Sequence, residues 1–585
     1  MQVIHFRRPI GHPKGRPIEA AARERVRALL GAGPLRRDLL IEYLHRLQDA
    51  QGSLPVALLT ALAEAMRLAP AEVYEVASFY HHFDVQADGE AAPPSLTVRV
   101  CESLSCTMAG AGQLLASLRE QLGDAVRVQP VPCVGHCDGA PVAVVGQRPV
   151  RGASPAAVAA LVAQAGSPDA AQARTDDSAA RRRAAHQCPI PAAPGYVQAR
   201  AAGAYEVLAA LHADVRSRES VFDELERAGL RGLGGAGFLT GRKWRIVAGQ
   251  REVPLLVVNA DEGEPGTFKD RHYLEQDPHG FLCGMLIAAW AVKAQDCYLY
   301  LRDEYAGVRT MLEREIAALR ADPPVPAESM PGLHLRRGAG AYICGEESAL
   351  IESLEGKRGT PRLRPPYVAE VGLFGRPTLV NNVETLFWVP QILDRGAAWF
   401  AGHGRRSRVG LRSFSVSGRV REPGVKLAPA GISVRELIDE YCGGMAEGHQ
   451  LYAYLPGGAS GGILPAALAN LPLDFDTLQP YGCFIGSAAV IVLSQADRAR
   501  DAAASMMRFF RHESCGQCTP CRVGTAKAEA LLEAPQWDAL LIEALSRTMI
   551  DASICGLGQA APNPVRCVIQ YFPHEIQADS AEASR

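Results

Sequence analysis

The stretch Leu255-Leu-Val-Val-Asn-Ala-Asp-Glu-Gly-Glu-Pro-Gly266 places four apolar residues directly before a polar, acidic loop. A short apolar run predicts a buried strand, and the carboxyl ends of such strands are where α/β sheets bind ligands. A second strand-like run at 298–301 alternates with helical patterns at 281–292 and 307–319. The sequence therefore predicts an α/β domain with a candidate ligand site at the end of this strand.

The composition is that of an ordinary globular protein with several domains. The chain has 585 residues, too many for one hydrophobic core, and 48% of them are hydrophobic while 21% are charged. A net charge of −2 gives no support for a nucleic-acid or membrane-surface partner. The longest apolar run, within 281–292, is shorter than the ~20 residues of a membrane span, and residues 1–16 lack the apolar core of an export signal. We therefore expect a cytoplasmic protein with neither kind of partner.

Changes in hydrophobic period along the chain predict its division into units. Helical spacing dominates the N-terminal part. Two separate parts follow in which strands and helices alternate, and then short strands with Pro-Gly turns precede a final helical part. Between the two α/β parts lies a stretch rich in Ala, Asp, Arg and Ser with little to bury. The predicted units are a helical bundle (17–85), a small α/β domain of thioredoxin size (94–165), a linker (166–194), the main α/β domain (195–405), a β-rich domain (411–492) and a C-terminal helical domain (497–575).

Clustered cysteines indicate metal binding. The chain has fifteen cysteines, and in a reducing compartment tight groups of thiols favour metals over disulfides. Cys101 and Cys106 are followed, after 26 residues, by Cys133 and Cys137, each pair after a predicted strand. Four such thiolates suit a [2Fe–2S] cluster, which the spacing favours modestly over structural zinc or unrelated buried cysteines. His136 lies between two of the predicted ligands, and we expect it to face outward or to hydrogen-bond a ligand.

A second cysteine group predicts a cubic cluster. Cys515-Gly-Gln-Cys518-Thr-Pro-Cys521 presents three thiols at two-residue gaps, and Cys555 supplies a remote fourth. This is the ligand pattern of a [4Fe–4S] cluster, and zinc does not need three thiolates so closely spaced. Cysteines outside these groups, such as Cys567, stand alone in the sequence and are expected to be inert and buried.

A glycine-rich stretch, Arg231-Gly-Leu-Gly-Gly-Ala-Gly-Phe238, fits the G-x-G-x-x-G pattern, which alone is a weak signal. A predicted helix at 220–230 precedes it, whereas a Rossmann dinucleotide site requires a strand there. Missing β-carbons still let backbone N–H groups approach a phosphate, which Lys243 could neutralise. A mobile surface turn is the alternative, although it would not explain the neighbouring Phe238 and Trp244.

Two acidic motifs are candidates for ligand contact. One is the loop 259–266, and the other is Gly338-Ala-Gly-Ala-Tyr-Ile-Cys-Gly-Glu-Glu347. Neither is diagnostic alone, because Asp and Glu are mostly exposed and solvated carboxylates are the default at a loop.

Taken together, these motifs resemble a known family. The motifs at 232–238, 259–270, 340–347, Asn381-Asn-Val-Glu-Thr385 and 513–522 resemble, in this order, those of the NADH-binding flavoprotein subunit of respiratory complex I. The N-terminal part resembles the complex I [2Fe–2S] subunit of thioredoxin-like fold, so the likeness covers about 18–575. The same fusion is found in β subunits of soluble molybdenum- or tungsten-containing NAD-dependent formate dehydrogenases and in diaphorase subunits of NAD-reducing hydrogenases. Residues 37–45, 77–85 and 427–431 look closest to the formate dehydrogenase β subunit.

The resemblance implies a multidomain α/β fold. Its units would be the N-terminal helical bundle, the thioredoxin-like [2Fe–2S] domain, a Rossmann-like FMN/NADH domain, a β-grasp (SLBB) domain and a C-terminal helical bundle with the [4Fe–4S] cluster. It implies FMN, NAD, one [2Fe–2S] and one [4Fe–4S] cluster as cofactors. The implied partner is a formate dehydrogenase α subunit carrying Fe–S clusters and molybdopterin with Mo or W, in a dimer of heterodimers.

The same resemblance implies site residues, motif by motif. Those for FMN are Gly232, Gly234, Gly235, Lys243, Asn259, Asp261, Glu262, Tyr342, Gly345, Glu346, Asn381, Asn382 and Thr385. Those for NADH are Gly235, Gly237, Phe238, Glu264, Glu347, Arg364 and Tyr367, the last two replacing Lys and Phe of complex I relatives. The metal ligands are Cys101, Cys106, Cys133, Cys137, Cys515, Cys518, Cys521 and Cys555. No side chain is expected to be catalytic, because FMN itself exchanges the hydride while Glu264 and Glu347 orient NADH.

The expected function is electron transfer from a formate-oxidising subunit through the Fe–S clusters to FMN and NAD⁺. The overall reaction, formate + NAD⁺ = CO₂ + NADH, is reversible. The alternatives are a hydrogenase diaphorase subunit, a complex I-type NADH dehydrogenase subunit, and a non-catalytic scaffold with degenerate sites. The intact glycine-rich stretch argues against the scaffold.

Overall fold

Four helices form the N-terminal bundle, as the periodicity predicts. They span Ala20–Leu30, Leu40–Gln51, Val56–Met66 and Pro70–Phe79, and the short parallel strands β1 (Leu54–Pro55) and β2 (Val85–Gln86) pair beside them. Leu40, Leu44 and Leu47 of the second helix are fully buried, which is the apolar stripe that drives this packing. The structure is a computed structural model that describes residues 16–165 and 188–577. Most of the predicted linker, 166–187, lies outside the described residues.

A four-stranded sheet follows the bundle. Its strands are β3 (Thr97–Cys101), β4 (Arg127–Val131), β5 (Ala143–Val145) and β6 (Arg148–Val150), in the order β4-β3-β5-β6. Strands β3 and β4 are parallel, and the other pairs are antiparallel. The helices Leu104–Met108, Ala111–Leu122 and Pro155–Ala165 accompany it. The predicted cysteine pairs lie where β3 and β4 end.

The main domain is built on a parallel sheet. Its strands are β7 (Leu255–Ala260), β8 (Asp296–Leu301), β9 (Gly332–Arg337) and β10 (Thr378–Asn382), in the order β10-β7-β8-β9. The helices of this domain are Tyr196–Ala201, Glu206–His212, Arg218–Arg227, Thr240–Ala248, Lys269–Gln276, Pro278–Val292, Ala306–Ala321, Glu347–Leu354, Val383–Arg395 and Ala397–Ala401. Residues 255–258 are buried, as expected for a strand covered by helices on both faces.

The β-rich domain contains a five-stranded sheet. Its strands are β11 (Leu411–Gly418), β12 (Gly424–Pro429), β13 (Leu451–Leu455), β14 (Leu464–Pro465) and β15 (Ala489–Ser494), in the order β12-β11-β15-β13-β14. The C-terminal helices are Ala499–His512, Thr519–Leu532, Ala539–Ala552, Gly556–Ala560 and Asn563–Tyr571. None of the helices in the two described ranges combines the length and hydrophobicity of a membrane span.

Candidate functional site

Four motifs that are far apart in the sequence converge at one edge of the parallel sheet. Strands β7 and β10 are paired so that Asn259 and Asn382 lie opposite each other at the carboxyl ends. The Asn259 side-chain amide donates to the Gly345 carbonyl at 2.9 Å, which attaches the 338–347 motif to β7. The Trp244 indole N–H donates to Asn381 Oδ1 at 3.0 Å. This edge is the position at which parallel sheets bind ligands.

The glycine-rich loop is tied to the end of β10. Its Leu233 N–H donates to Thr385 Oγ1 at 2.8 Å, and Gly232 N–H donates to the Phe238 carbonyl at 2.8 Å. A β-carbon on Gly234 would lie 3.1 Å from Asn382 Cβ, tighter than ordinary van der Waals contact. The loop therefore approaches β10 more closely than a side chain there would readily allow.

Two further glycines shape the outer part of this loop. Gly237 has φ +69°, and a β-carbon there would lie 2.5 Å from the Phe475 ring of the β-rich domain. Gly235, in contrast, has no atom of the described residues within 4 Å of its β-carbon position. The loop is thus supported from behind by Phe475 and open at Gly235, a geometry that suits the approach of a phosphate to backbone N–H groups.

A charge cluster lies beside the loop. Lys243 Nζ donates to the Val380 carbonyl at 2.8 Å and lies 3.7 Å from Glu347. Arg364 lies 3.0 Å from the same Glu347 carboxylate and also pairs with Glu346. Burial lowers the pKa of Lys243. The structure therefore brings two predicted FMN residues, Lys243 and Glu346, together with two predicted NADH residues, Glu347 and Arg364.

The two aromatic residues predicted for the NADH site are exposed. Phe238 is 48% exposed and Tyr367 is 56% exposed, which leaves both rings free for a planar ligand. Arg242 lies with its guanidinium carbon 5.9 Å from the Phe238 ring centroid. Sequence reasoning missed this residue, although its position four residues after Phe238 was a usable signal.

Asp261 carries an unsatisfied carboxylate. Its Oδ2 is buried and has no hydrogen-bond partner among the described residues, and burial raises the pKa of the side chain well above its usual range. A buried acceptor of this kind needs a donor to be stable. The N–H and hydroxyl groups of a flavin nucleotide are suitable donors, so the residue fits a bound FMN. Asp261 and Tyr342 also line a cavity of about 900 Å³ that extends to Cys133 and His136.

The other two carboxylates of this loop are engaged by protein groups. Glu262 accepts hydrogen bonds from the Asp270 and Arg271 N–H groups at 2.8 and 3.1 Å and from the Tyr305 hydroxyl at 2.9 Å. Burial raises the pKa of Glu262 to about 7. Its carboxylate therefore faces the protein interior.

Glu264 connects the loop to the β-rich domain. Its carboxylate accepts from Ser460 N at 3.0 Å and from Ser487 Oγ at 2.7 Å, and burial raises its pKa. A β-carbon on Gly458 would come within 2.8 Å of this carboxylate. The structure thus gives Glu264 a positioning contact with the second domain.

The 338–347 motif links the sheet edge to the C-terminal domain. Tyr342 N–H donates to Glu513 at 2.9 Å, and the Tyr342 and Phe509 ring centroids are 5.0 Å apart. Glu346 caps the helix Glu347–Leu354 by accepting from the Ser348 and Ala349 N–H groups at 3.0 and 2.9 Å. The cap fixes the start of this helix, while the Asn259–Gly345 hydrogen bond holds the motif against the loop 259–264.

The four C-terminal cysteines line one small cavity. Cys515, Cys518, Cys521 and Cys555 surround it together with Ile343, which belongs to the 338–347 motif. Burial raises the pKa of Cys521 to about 11 and that of Cys555 to about 12, so these thiols must lose protons on binding metal. Four convergent thiols fit a [4Fe–4S] cluster, placed directly behind the candidate flavin motif.

The four N-terminal cysteines are buried together. Cys133 Sγ lies 3.2 Å from Cys137 Sγ, and all four side chains are at most 3% exposed. Hydrogen bonds from the Cys101 and Cys137 thiols hold the pKa of Cys133 well below its usual range. Such a group of sulfurs, one of them already favoured as a thiolate, fits a metal cluster.

Two expectations about single residues need correction. His136 does not face outward: it is 8% exposed, its Nδ1 has no hydrogen-bond partner within the described ranges, and its ring centroid lies 6.4 Å from that of Tyr305. Cys567 is buried as expected, but it is not isolated in the fold, because its Sγ lies 3.5 Å from Cys483 Sγ. No sequence pattern indicates this contact, since 84 positions separate the two cysteines.

Comparison with known proteins identifies the family of the chain. Family models match residues 225–391 (Nuo51 FMN-binding domain), 26–166 (thioredoxin-like [2Fe–2S] ferredoxin), 501–579 (NADH-ubiquinone oxidoreductase-F iron–sulfur binding region) and 413–464 (SLBB domain). The F subunit of the NADH-quinone oxidoreductase of Rickettsia conorii is 42% identical over 378 residues, covering 62% of this chain and 89% of the relative. The chain belongs to the family of NADH-quinone oxidoreductase F subunits. An F subunit of the Rhizobium meliloti enzyme is 41% identical over 376 residues, with the same coverage.

Solved structures of a hydrogenase are similar in fold to this chain over almost its whole length. An NAD⁺-reducing [NiFe]-hydrogenase in the H₂-reduced state is similar with a TM-score of 0.78 and 34% identity, covering 93% of both chains. The air-oxidised state gives a TM-score of 0.77 and 33% identity over 92% of this chain and 93% of the other.

These matches confirm the predicted fold class and cofactors of this member of the NADH-quinone oxidoreductase family. It is an NADH-binding oxidoreductase subunit with FMN, a thioredoxin-like [2Fe–2S] domain and a [4Fe–4S] region. The match to a [2Fe–2S] ferredoxin decides against structural zinc at the first cysteine group. The relatives described above are complex I and hydrogenase proteins, so the closer likeness to formate dehydrogenase remains a prediction.

Sequence reasoning missed two arginines that hold the [2Fe–2S] loop of this oxidoreductase subunit. Arg302 donates to the Cys133 carbonyl at 2.7 Å and also to the Glu262 carbonyl, and Arg271 donates to the Gly135 carbonyl at 3.0 Å. Both side chains are buried. No local pattern could have revealed contacts across more than 130 positions.

Proposed function

We propose that this chain is the NAD-reducing subunit of an NAD-dependent formate dehydrogenase. It would take electrons from a formate-oxidising subunit and deliver them to NAD⁺ in the reversible reaction formate + NAD⁺ = CO₂ + NADH. The observation that carries the electron-transfer role is the shared 338–347 motif: Gly345 is bonded to Asn259 at the sheet edge, while Ile343 lines the cavity of four cysteines. The likeness of residues 37–45, 77–85 and 427–431 to formate dehydrogenase β subunits favours formate.

When bound, FMN exchanges a hydride with nicotinamide and single electrons with iron–sulfur clusters. The protein's role is to position and shield the reactants. The loop 232–237 would bind phosphate through backbone N–H groups, and Asp261 would accept a hydrogen bond from the flavin. Glu347, held between Lys243 and Arg364, would orient NADH, and Phe238 with Tyr367 would stack on it. None of these residues needs to transfer a proton.

Cys101, Cys106, Cys133 and Cys137 would hold the [2Fe–2S] cluster, which would supply one-electron storage. The cavity of about 900 Å³ runs from Asp261 and Tyr342 to Cys133, and Arg271 and Arg302 fix the cysteine loop against the main domain. We include Glu264 as a positioning residue that joins the β-rich domain to the same loop.

The proposed partner is an α subunit with Fe–S clusters and a molybdopterin holding Mo or W, and the complex would be a dimer of heterodimers. Fifteen free cysteines, eight of them grouped as cluster ligands, are consistent with a reducing compartment. We therefore propose that the complex lies in the cytoplasm, and the net charge of −2 gives no support for a nucleic-acid or membrane-surface partner. The proposed units keep the boundaries predicted from the sequence.

A hydrogenase diaphorase subunit is the second candidate, favoured by the 93% mutual coverage with the NAD⁺-reducing [NiFe]-hydrogenase. A complex I role is less favoured, because the NADH-quinone oxidoreductase relatives cover only 62% of this chain. The deciding experiment is to purify the chain with its native partner and assay NAD⁺ reduction with formate or with hydrogen. Formate-dependent reduction and a molybdopterin partner are expected. Hydrogen-dependent reduction with a nickel–iron partner would reject the formate assignment.

The diaphorase role is tested separately with the isolated, cofactor-loaded chain. It should oxidise NADH with an artificial dye as electron acceptor. The variant Glu347→Gln should raise the NADH KM, because Lys243 and Arg364 lose the carboxylate that holds them. A chain that retains FMN yet does not oxidise NADH would support the scaffold alternative instead.

A further inference from the structure

We propose that a small cavity between the base of the glycine-rich loop and the β-rich domain binds a small oxyanion such as inorganic phosphate. The cavity has a volume of about 80 Å³, and its lining includes Arg231, Arg408, Arg412, Asp474 and Phe475. A single water molecule needs only about 10–15 Å³ of cavity volume. The cavity therefore has room for a multi-atom ion but not for a nucleotide. None of the residues assigned to FMN or NADH lines it.

The charges around this cavity leave one cation without a partner. Arg412 pairs with Asp474 at 2.7 Å, and Arg231 pairs with Asp476 at 3.0 Å. Arg408 has neither an ion pair nor a side-chain hydrogen bond to any described residue. One positive charge is therefore uncompensated, and the ligand that suits it is an anion.

Unsatisfied hydrogen-bond donors point the same way. The Nε atoms of Arg408 and Arg412 are both buried and have no hydrogen-bond partner in the part of the chain that the structure describes. Arg412 is only 4% exposed, so water does not readily satisfy it. Guanidinium groups bind the oxygens of phosphate through several directed hydrogen bonds, which a halide or a single carboxylate matches less well.

The cavity is mechanically connected to the nucleotide loop. The Arg412 guanidinium carbon lies 4.1 Å from the Phe475 ring centroid, and that of Arg231 lies 5.5 Å from it. On another side of the ring is Gly237, whose β-carbon position lies 2.5 Å from Phe475. An anion that fixes these arginines would therefore fix the ring that supports Gly237. This coupling rests on the proposed function, and it predicts a change in NADH KM with phosphate.

The test is calorimetric titration of the FMN-loaded chain with inorganic phosphate in a chloride buffer. We expect one saturable site, with affinity reduced about tenfold or more in Arg408→Gln, since a hydrogen bond to a charged group is lost. Arg408→Lys keeps the charge and should recover part of the affinity. Arg406→Gln is the matched control, because that arginine is exposed, pairs with Glu436 and does not line the cavity, so binding should be unchanged.

Saturating NADH separates this site from the nucleotide's own phosphate subsites. Phosphate should still bind in its presence, and displacement by NADH would overturn the proposal. So would wild-type protein without saturable binding, or equal affinity in Arg408→Gln and wild type. Equal thermal midpoints of the two proteins ensure that a loss of binding is not a loss of folding. Failure of NADH oxidation in the dye assay would overturn the proposed function and leave the phosphate titration untouched.

Discussion

Replacing Gly237 by alanine tests the geometry of the nucleotide loop most directly. The residue has φ +69°, in the left-handed region, and a β-carbon would lie 2.5 Å from Phe475 Cδ1 and 2.6 Å from Cε1. Favourable carbon–carbon contacts are about 3.5–4.0 Å, so the overlap is roughly 1 Å. Phe475 is 6% exposed and packed against Arg412, which restricts its retreat.

The expected cost has two parts. The left-handed backbone costs an alanine about 1–2 kcal/mol, and inserting a methyl group into a packed contact costs about 1–3 kcal/mol. If the loop keeps its position, Gly237→Ala should therefore destabilise the folded domain by about 2–5 kcal/mol. If the loop moves instead, the strain appears as weaker NADH binding with FMN still present.

The assay combines urea unfolding of the cofactor-loaded chain with the NADH KM in dye reduction. Gly112→Ala is the stability control, because that exposed glycine lies in the helix Ala111–Leu122, has no positive φ and has no described atom within 4 Å of its β-carbon position. Combining Gly237→Ala with Phe475→Leu should give effects that are not additive, since the two residues share one contact. Wild-type stability and KM in Gly237→Ala, or strict additivity in the double variant, would refute this reasoning.

Three further predictions address the clusters and the buried carboxylate. Cys518→Ser should abolish the [4Fe–4S] EPR signal and retain FMN. Cys442→Ser is the control and should keep the signal, because Cys442 is a buried cysteine outside both groups. An unchanged spectrum in Cys518→Ser would contradict the ligand assignment. Arg302→Met should lower the [2Fe–2S] reduction potential, because the reduced cluster loses a nearby cation. The expected shift is about 59 mV for each 1.4 kcal/mol of lost interaction, and redox titration measures the potential. Arg302→Lys keeps the charge and should restore much of the wild-type potential. Burial raises the pKa of Glu262 from 4.5 to about 7, so its stabilising contribution is complete below pH 4.5 and is lost as the pH rises through 7. Glu262→Gln should therefore flatten the fall in thermal midpoint between about pH 4.5 and 7, and a slope equal to that of wild type would exclude this titration.

Sequence periodicity predicted the elements whose buried residues form one regular apolar pattern. The bundle helices have one apolar stripe each, and β7 and β8 are apolar runs, so both kinds of element could be recognised. Strand β9, Gly332–Arg337, was missed because it contains His334, Arg336 and Arg337, which an edge strand tolerates and a pattern of apolar residues does not reveal. Strand β10 was missed because only Leu379 and Val380 in it are apolar.

At the site, spacing was sufficient for the cysteines and insufficient for the carboxylates. Thiols two residues apart must converge locally, and the C-terminal group indeed lines one cavity. The direction of a loop carboxylate, however, depends on partners elsewhere in the chain. Glu264 reaches serines 196 and 223 positions away, and Glu262 reaches a tyrosine 43 positions away. Such partners become neighbours only after the domains have packed.

The loop 261–264 therefore has a role beyond ligand contact. Within four residues, the unsatisfied Asp261 oxygen remains for a ligand, Glu262 binds the backbone of Asp270 and Arg271, and Glu264 binds the β-rich domain. Because Arg271 also holds the [2Fe–2S] loop through Gly135, a displacement at Glu262 is transmitted to the cluster by two directed contacts. A substitution that only removed a flavin contact would leave the [2Fe–2S] spectrum unchanged. It follows that changes at Asp261 should affect the flavin alone, whereas changes at Glu262 should affect both centres.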